Sequence, residues 1–308
     1  MENGYENLHL VLKSEKMSTQ TKEKVSKVNH VLGLILIYAF LTFMALIVIF
    51  PFYWMLITSL KSGAEIKSSI PTFFPQQIMW SNYTRALSQL DFPVLLTNTF
   101  VVGIFSTLGT LITSIFAAFA FARLKFKGRD FMFSLLLATM MIPGEMMVIS
   151  NYISVSRLGM TKGDQLGGYL AMILPFMISV FYIYLLRQNF KQIPNELYLA
   201  AKVDGKSDWA FLWKVMVPLA MPTLITIFIL KLMGAWNSYV WPNLIATGNK
   251  NLYLITNGLR ETFSTASDID NYGVQMAATV VVTVPLLLLF IFFRKYIMRG
   301  VGRAGIKG

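Results

Sequence analysis

Two ionisable residues, Glu145 and Lys231, interrupt apolar runs long enough to cross a bilayer. A charge at such a place is costly and is a functional candidate by default. Counted along straight helices from Phe131 and Leu219, the two sit at depths of roughly 21 and 18 Å. Heights that similar would let them pair or line a solute path. The competing reading puts Glu145, after Pro143-Gly144, in a wet unwound segment, while Lys231 snorkels toward water. Lys231, Gly234, Ala235 and Ser238 recur at three- and four-residue spacing. That places them on one helical face with side chains small enough for close helix approach. Trp236, Asn237, Tyr239 and Trp241 add rings and an amide, groups that stack on and hydrogen-bond sugars. Tryptophan and tyrosine also mark membrane interfaces, so both readings stand.

Other chemistries lack their residues. The chain has no cysteine and only two histidines, His9 and His30, both ahead of the first apolar run. No thiolate metal site, cysteine nucleophile or intramembrane histidine relay can be built from these. Asp268 and Asp270 are too few for an oxygen cage of about six to eight ligands. The glycine-rich end, Gly300 to Gly308 with Lys307, lacks the lysine and hydroxyl placement of a phosphate loop, and no helix can follow it. No catalytic residue, metal or cofactor is expected, and ATP is not bound by this chain itself.

The elements that carry these residues follow from composition. The 308 residues are 55% hydrophobic and 14% charged, with mean hydropathy +0.58; soluble domains carry roughly 25% charge. Apolar runs at 31–60, 92–122, 131–153, 166–186, 215–246 and 274–293 each reach about the 20 residues a span needs. The expected fold is an all-α membrane protein with six transmembrane helices. Pro51, Pro143, Pro175, Pro222, Pro242 and Pro285 fall in or beside the runs and predict kinks.

The net charge of +12 is placed at membrane edges, which argues against nucleic acid as a partner. Lys and Arg number 19 in the N-terminal tail, 123–130, 187–214 and the C-terminal end, against seven in the intervening segments. By the positive-inside rule both termini and the 187–218 loop are cytoplasmic. Residues 1–30, rich in Lys, Ser, Glu and Asn, read as a disordered tail and not a cleaved signal. Residues 31–298 form the six-helix domain, with a loop at about 190–218, and 299–308 form a cytoplasmic tail.

Within that loop, the stretch from Asn195 reads as a short amphipathic helix. Leu197, Leu199, Ala200, Ala201 and Val203 are apolar, and Glu196, Lys202 and Asp204 are polar. Gly205 breaks it. After Lys206, Ser207-Asp208 can cap a second helix over 209–213. Two short helices joined at a glycine make a rigid knob suited to a groove on a soluble partner. An interfacial helix lying on lipid, helped by Trp209, Trp213 and Lys214, fits the composition equally well.

Ala200, Ala201, Gly205, Val215, Val217 and Pro218 match in register the cytoplasmic Glu-Ala-Ala…Gly…Ile-x-Leu-Pro motif of ABC importer permeases. The motif glutamate is replaced by Leu199, with Glu196 one helical turn earlier. Other stretches resemble the carbohydrate-uptake group of these permeases, the MalG-like subunits. They include Pro51-Phe52-Tyr53-Trp54, Asn98-Thr99-Phe100, Ala120-Phe121-Ala122-Arg123, Met141-Ile142-Pro143, Trp236-Asn237 and the C-terminal Gly305-Ile306-Lys307-Gly308.

The resemblance implies a non-catalytic subunit of an ATP-driven sugar importer, multi-pass in a bacterial cell membrane. It implies a heterodimer with a second related permease, two ABC ATPase subunits beneath, and an extracytoplasmic solute-binding protein. It implies ATPase coupling through Glu196, Leu199, Ala200, Ala201, Asp204, Gly205, Lys206 and Ser207. Glu145, Lys231, Trp236 and Asn237 are the candidates for the translocation path. A self-sufficient secondary transporter or channel is the rival, but would need more intramembrane acids than Glu145 alone.

Overall fold

The computed structural model describes the backbone of residues 2–264 and 271–302, and the side chains of 30–263 and 271–295. Among them every regular element is helical. The chain divides into two units, Met1–Thr58 and Ser59–Gly308.

The first unit is one helix, α1 (Glu2–Ser59). The disordered tail expected over 1–30 differs from this backbone, which is helical from Glu2. That segment has no proline to interrupt a helix. The stretch His30–Ser59 is long and apolar enough to span a membrane. Its exposed Leu, Ile and Phe side chains suit a surface that faces lipid.

The second unit begins with α2 (Gly63–Ile66) and α3 (Ser81–Gln89), followed by α4 (Phe92–Arg123), a 32-residue span. Then come α5 (Arg129–Thr139), α6 (Val148–Arg157), α7 (Gln165–Ile173) and α8 (Val180–Gln192). The loop region holds α9 (Asn195–Val203), α10 (Asp208–Phe211) and α11 (Val217–Leu219). Next are α12 (Met221–Trp236), α13 (Val240–Ala246), α14 (Ile255–Ser264) and the long α15 (Tyr272–Gly302).

Among the described residues three helices are long and apolar enough to cross a membrane singly, and three further bent pairs are so only if each pair is one span. The bends are 88° between Arg129–Thr139 and Gly144–Arg157, 49° between Gln165–Phe176 and Val180–Gln192, and 75° between Asp208–Leu219 and Met221–Trp236. Pro143, Pro175 and Pro222 lie at or beside the three breaks. Each lacks the N–H that a continuing helix would donate, and its ring crowds the preceding turn. Pro51 and Pro285 instead sit inside α1 and α15 without ending them.

The core of this unit has two parts. One gathers Val102, Met172, Trp236, Trp241, Ile245 and Val274 from α4, α7, α12, α13 and α15, with Leu254 from the connection ahead of α14. The other packs Ile115, Phe119, Leu186 and Phe190 against Phe211, Leu212, Met216 and Ile227. The second cluster seats the base of the loop region directly on α4 and α8.

Candidate functional site

The loop between α8 and α12 is built as a closed elbow. Pro194 precedes α9 with an extended backbone, because its ring opens helices but cannot continue one. At the far end the Lys206 N–H donates to the Ala201 carbonyl at 2.8 Å, and the Gly205 N–H to the Lys202 carbonyl at 3.1 Å. These are the paired bonds of a Schellman cap, with Gly205 at φ +70° in the left-handed position. Ser207 then starts α10, its side chain accepting from the Ala210 N–H at 3.2 Å.

Side chains lock the two arms across the glycine. The Tyr198 hydroxyl donates to Asp208 Oδ1 at 2.7 Å, and Lys202 Nζ reaches the same oxygen at 2.8 Å. The Lys202 ammonium, followed by the Tyr198 hydroxyl, holds the Asp208 carboxyl below the usual carboxylate range. The same contact with Asp208 raises Lys202. Burial, and then donation to Asp208, pushes the Tyr198 hydroxyl up. The Tyr198 ring meets Phe211 edge-on at 5.1 Å, and Phe211 is buried in the core. Below it, Leu212–Met216 form one π-helical turn ahead of Pro218, whose missing N–H cannot serve the ordinary ladder.

What this elbow presents outward is apolar. Leu197, Leu199 and Val203 are 43%, 55% and 88% exposed, with Ala200 exposed and Ala201 half-buried between them. Glu196, Asp204 and the Lys206 side chain ring this face and are exposed.

Two buried arginines tie the elbow to the bundle. Arg123, at the end of α4, donates through Nη2 to the Phe190 carbonyl at 2.7 Å and to the Ile193 carbonyl. Its Nη1 donates to Asn195 Oδ1 at 3.3 Å. Arg187 Nε donates back to the Phe121 carbonyl at 3.2 Å, and its guanidinium lies 3.7 Å from the Phe133 ring centroid. Carbonyls at the ends of α4 and α8, where helix ends leave acceptors to spare, thus each receive an arginine from the other helix, Phe190 in addition to the Ile193 N–H at 3.3 Å. Residue types alone did not show Tyr198 and Arg123 in these roles. The four-residue step from Tyr198 to Lys202 was the one local signal.

The second feature is a cavity of about 270 Å³. Lys231, Gly234, Ala235 and Ser238 line it from α12 and its end, facing Val102 and Ser106 of α4 and the rings of Phe176, Tyr182 and Trp241. Lys231 Nζ lies 5.6 Å from the Phe176 centroid, and Phe176 meets Trp241 edge-on at 5.6 Å. The Phe176 segment lies at the Pro175 break, where two carbonyls lose helical partners. Thr110 Oγ1 lies 2.9 Å from both the Phe176 and the Ser106 carbonyls and shares its one proton between them, and Thr113 Oγ1 donates to the Met177 carbonyl at 2.7 Å. Such re-satisfaction is what lets a broken helix persist at membrane depth.

The other path candidates lie elsewhere. Glu145 sits exposed on a single 3-10 turn, Gly144–Met147. The break before that turn removes the straight helix on which equal depth with Lys231 rested. Among the described residues no ion pair joins Glu145 and Lys231. Trp236 is 3% exposed and packs edge-on to Phe100 at 5.5 Å, a core position. Asn237 caps α12, its N–H donating to the Met233 carbonyl at 3.0 Å. Residues 265–270, including Asp268 and Asp270, and 303–308 of the C-terminal end lie outside the described residues.

Residues 109–303 match the profile of the family described as "Binding-protein-dependent transport system inner membrane component". The chain is 30% identical over 275 residues to the inner membrane ABC transporter permease protein YcjP of Escherichia coli, covering 88% of this chain and 95% of that protein. It is 29% identical over 265 residues to the lactose transport system permease protein LacG of Rhizobium radiobacter, covering 85% and 93%. A bacterial ABC transporter involved in the import of the acidic polysaccharide alginate superposes with a TM-score of 0.75 at 25% identity, covering 85% of this chain and 95% of that one.

Proposed function

We propose, for a chain that belongs to the binding-protein-dependent transport system inner membrane component family, a role in moving a sugar or sugar-like solute into a bacterial cell. The chain is a permease subunit of an ABC importer. It crosses the inner membrane several times, with the α9–α10 elbow on the cytoplasmic side where the Lys and Arg count puts it. A second, related permease completes the path, two ATPase subunits dock below, and a solute-binding protein delivers the sugar outside. ATP hydrolysis belongs to those ATPases.

One observation carries this reading. The elbow is capped at Gly205, clamped through Asp208 and rooted in the core by Phe211, yet presents Leu199 and Ala200 outward. A knob that is stiff inside and apolar outside suits insertion into a groove on a partner. Closure of an ATPase pair on such a knob moves it as a body. The helices attached to it then rock between outward- and inward-open states, a rigid-body form of alternating access.

The test is uptake by vesicles holding the complete importer, with 200–205 replaced by a Gly/Ser linker. The expected result is ATP hydrolysis without solute accumulation. Undiminished accumulation through the flexible linker refutes the lever.

A further inference from the structure

We infer that Lys231 and its cavity form a subsite for a negatively charged group on the transported saccharide, a carboxylate or a phosphate. This rests on the importer reading above and adds the charge of the substrate.

Lys231 is half-buried in α12, and no carboxylate within ion-pair distance faces it among the described residues. Glu145, the other charge the apolar runs contain, is exposed on a broken turn and is not its counter-ion. The Phe176 ring at 5.6 Å is near the outer limit of useful cation–π attraction and cannot replace a counter-charge. A lone ammonium at membrane depth is retained against a desolvation cost. A visiting anion repays that cost when the cavity is filled.

The rest of the cavity fits a sugar. Trp241 spends its Nε1–H on the Ala171 carbonyl at 3.1 Å, so it offers a ring face or edge and no donor. Ser106, 2% exposed, donates its Oγ–H to the Gly103 carbonyl at 3.3 Å, so it adds no free donor to the wall. A Cβ added at Gly234 would meet nothing within 4 Å, so the wall beside Lys231 is open. The volume of about 270 Å³ is just below the usual range of small-molecule sites, room for one pyranose ring and its charged substituent. Lys231 is the strong donor of the set.

The experiment measures equilibrium binding to the purified complete importer, without binding protein, for three probes: galacturonic acid trimer, glucose 6-phosphate and maltotriose. At least one anionic probe should bind about tenfold more tightly than neutral maltotriose, the scale of a hydrogen bond to a charged group. Which one does so separates carboxylate from phosphate. Lys231→Gln should erase that preference by weakening the anionic probe about tenfold more than maltotriose, and Lys231→Arg should keep it. Equal or tighter maltotriose binding, or an anion preference untouched in Lys231→Gln, overturns the subsite. So does a Lys231→Glu assembly defect rescued by an acid-to-lysine exchange in the partner permease, which would make Lys231 half of an intersubunit ion pair. ATP-driven maltotriose uptake in vesicles alongside any of these failures leaves the importer reading standing.

Discussion

Replacing Gly205 tests the elbow without touching any contact it makes. The residue lies at φ +70°, and a Cβ built there meets nothing within 4 Å. Any penalty is therefore backbone conformation and not crowding. The left-handed region costs an ordinary L-residue roughly 1–2 kcal/mol, more if β-branched, while asparagine tolerates it. Since about 1.4 kcal/mol is tenfold in an equilibrium, alanine should cut the capped population relative to uncapped by about 5- to 30-fold. The order expected for solute moved per ATP is Gly, then Asn, then Ala, then Val. Asparagine is larger than alanine, so this order follows αL tolerance and not volume. The assay is paired uptake and phosphate release in vesicles, with equal amounts of assembled complex confirmed first. Wild-type coupling in both Ala and Val variants, or an Asn variant as poor as Val, refutes the stiff-cap reasoning.

Three further outcomes follow from the same structure. Arg123→Ala leaves the Ile193 carbonyl without its guanidinium donor and the Phe190 carbonyl with only the Ile193 N–H at 3.3 Å, and should destabilise the purified complex by about 2 kcal/mol, read as a lowered Tm; Arg123→Lys should recover only part because it cannot fork. The double variant Thr110→Val with Thr113→Val frees two carbonyls at the Pro175 break, so it should weaken solute affinity through Phe176 while leaving basal ATP hydrolysis intact. For pH, Asp208 is lowered and Lys202 raised by their mutual contact. The lowered acid contributes stability above its ordinary pKa and loses it as pH falls through the folded value. The raised base contributes below its ordinary pKa and loses stability as pH rises through the folded value. Coupling efficiency should therefore be flat from about pH 5 to about pH 9; a transition inside that window, absent in Asp208→Asn, contradicts the clamp.

Helical content and the six apolar runs were legible because hydropathy and length suffice for them. The joint at Gly205 and the cap at Ser207 were legible too, since both are local backbone chemistry. The shared face of Lys231, Gly234, Ala235 and Ser238 was visible from spacing, and these residues do line one cavity. Depth was not legible. Glu145 and Lys231 looked level only while the run through Pro143 was taken as straight, and an 88° bend there removes the ruler. Nor were the neighbours of the tryptophans: Trp236 and Trp241, five residues apart, are both buried in one core cluster, the first packed on Phe100 and the second on Phe176, where it also borders the cavity. Arg123 serves carbonyls 67 and 70 residues away, and no local pattern encodes a partner so distant.

The elbow and the cavity are joined by one short stretch of chain. α10 and its π turn lead through α11 and the Pro222 bend into α12, which carries Lys231 a few turns on. From Met221 to Lys231 is roughly 15 Å along the helix axis, with no loop in which motion could dissipate. The facing wall belongs to α4 and to the Phe176 segment, which Thr110 and Thr113 staple to α4. α4 and α8 are in turn linked through Arg123 and Arg187. On the coupling proposed above, a push on the elbow would have two routes to the walls, α12 on one side and the Arg123–Asn195 contact on the other. Tight packing makes such elements shift as bodies, so the two walls separate or close instead of deforming. With Lys231 on the helix that continues from the elbow, a stroke of the kind proposed above would reach the cavity directly through α12.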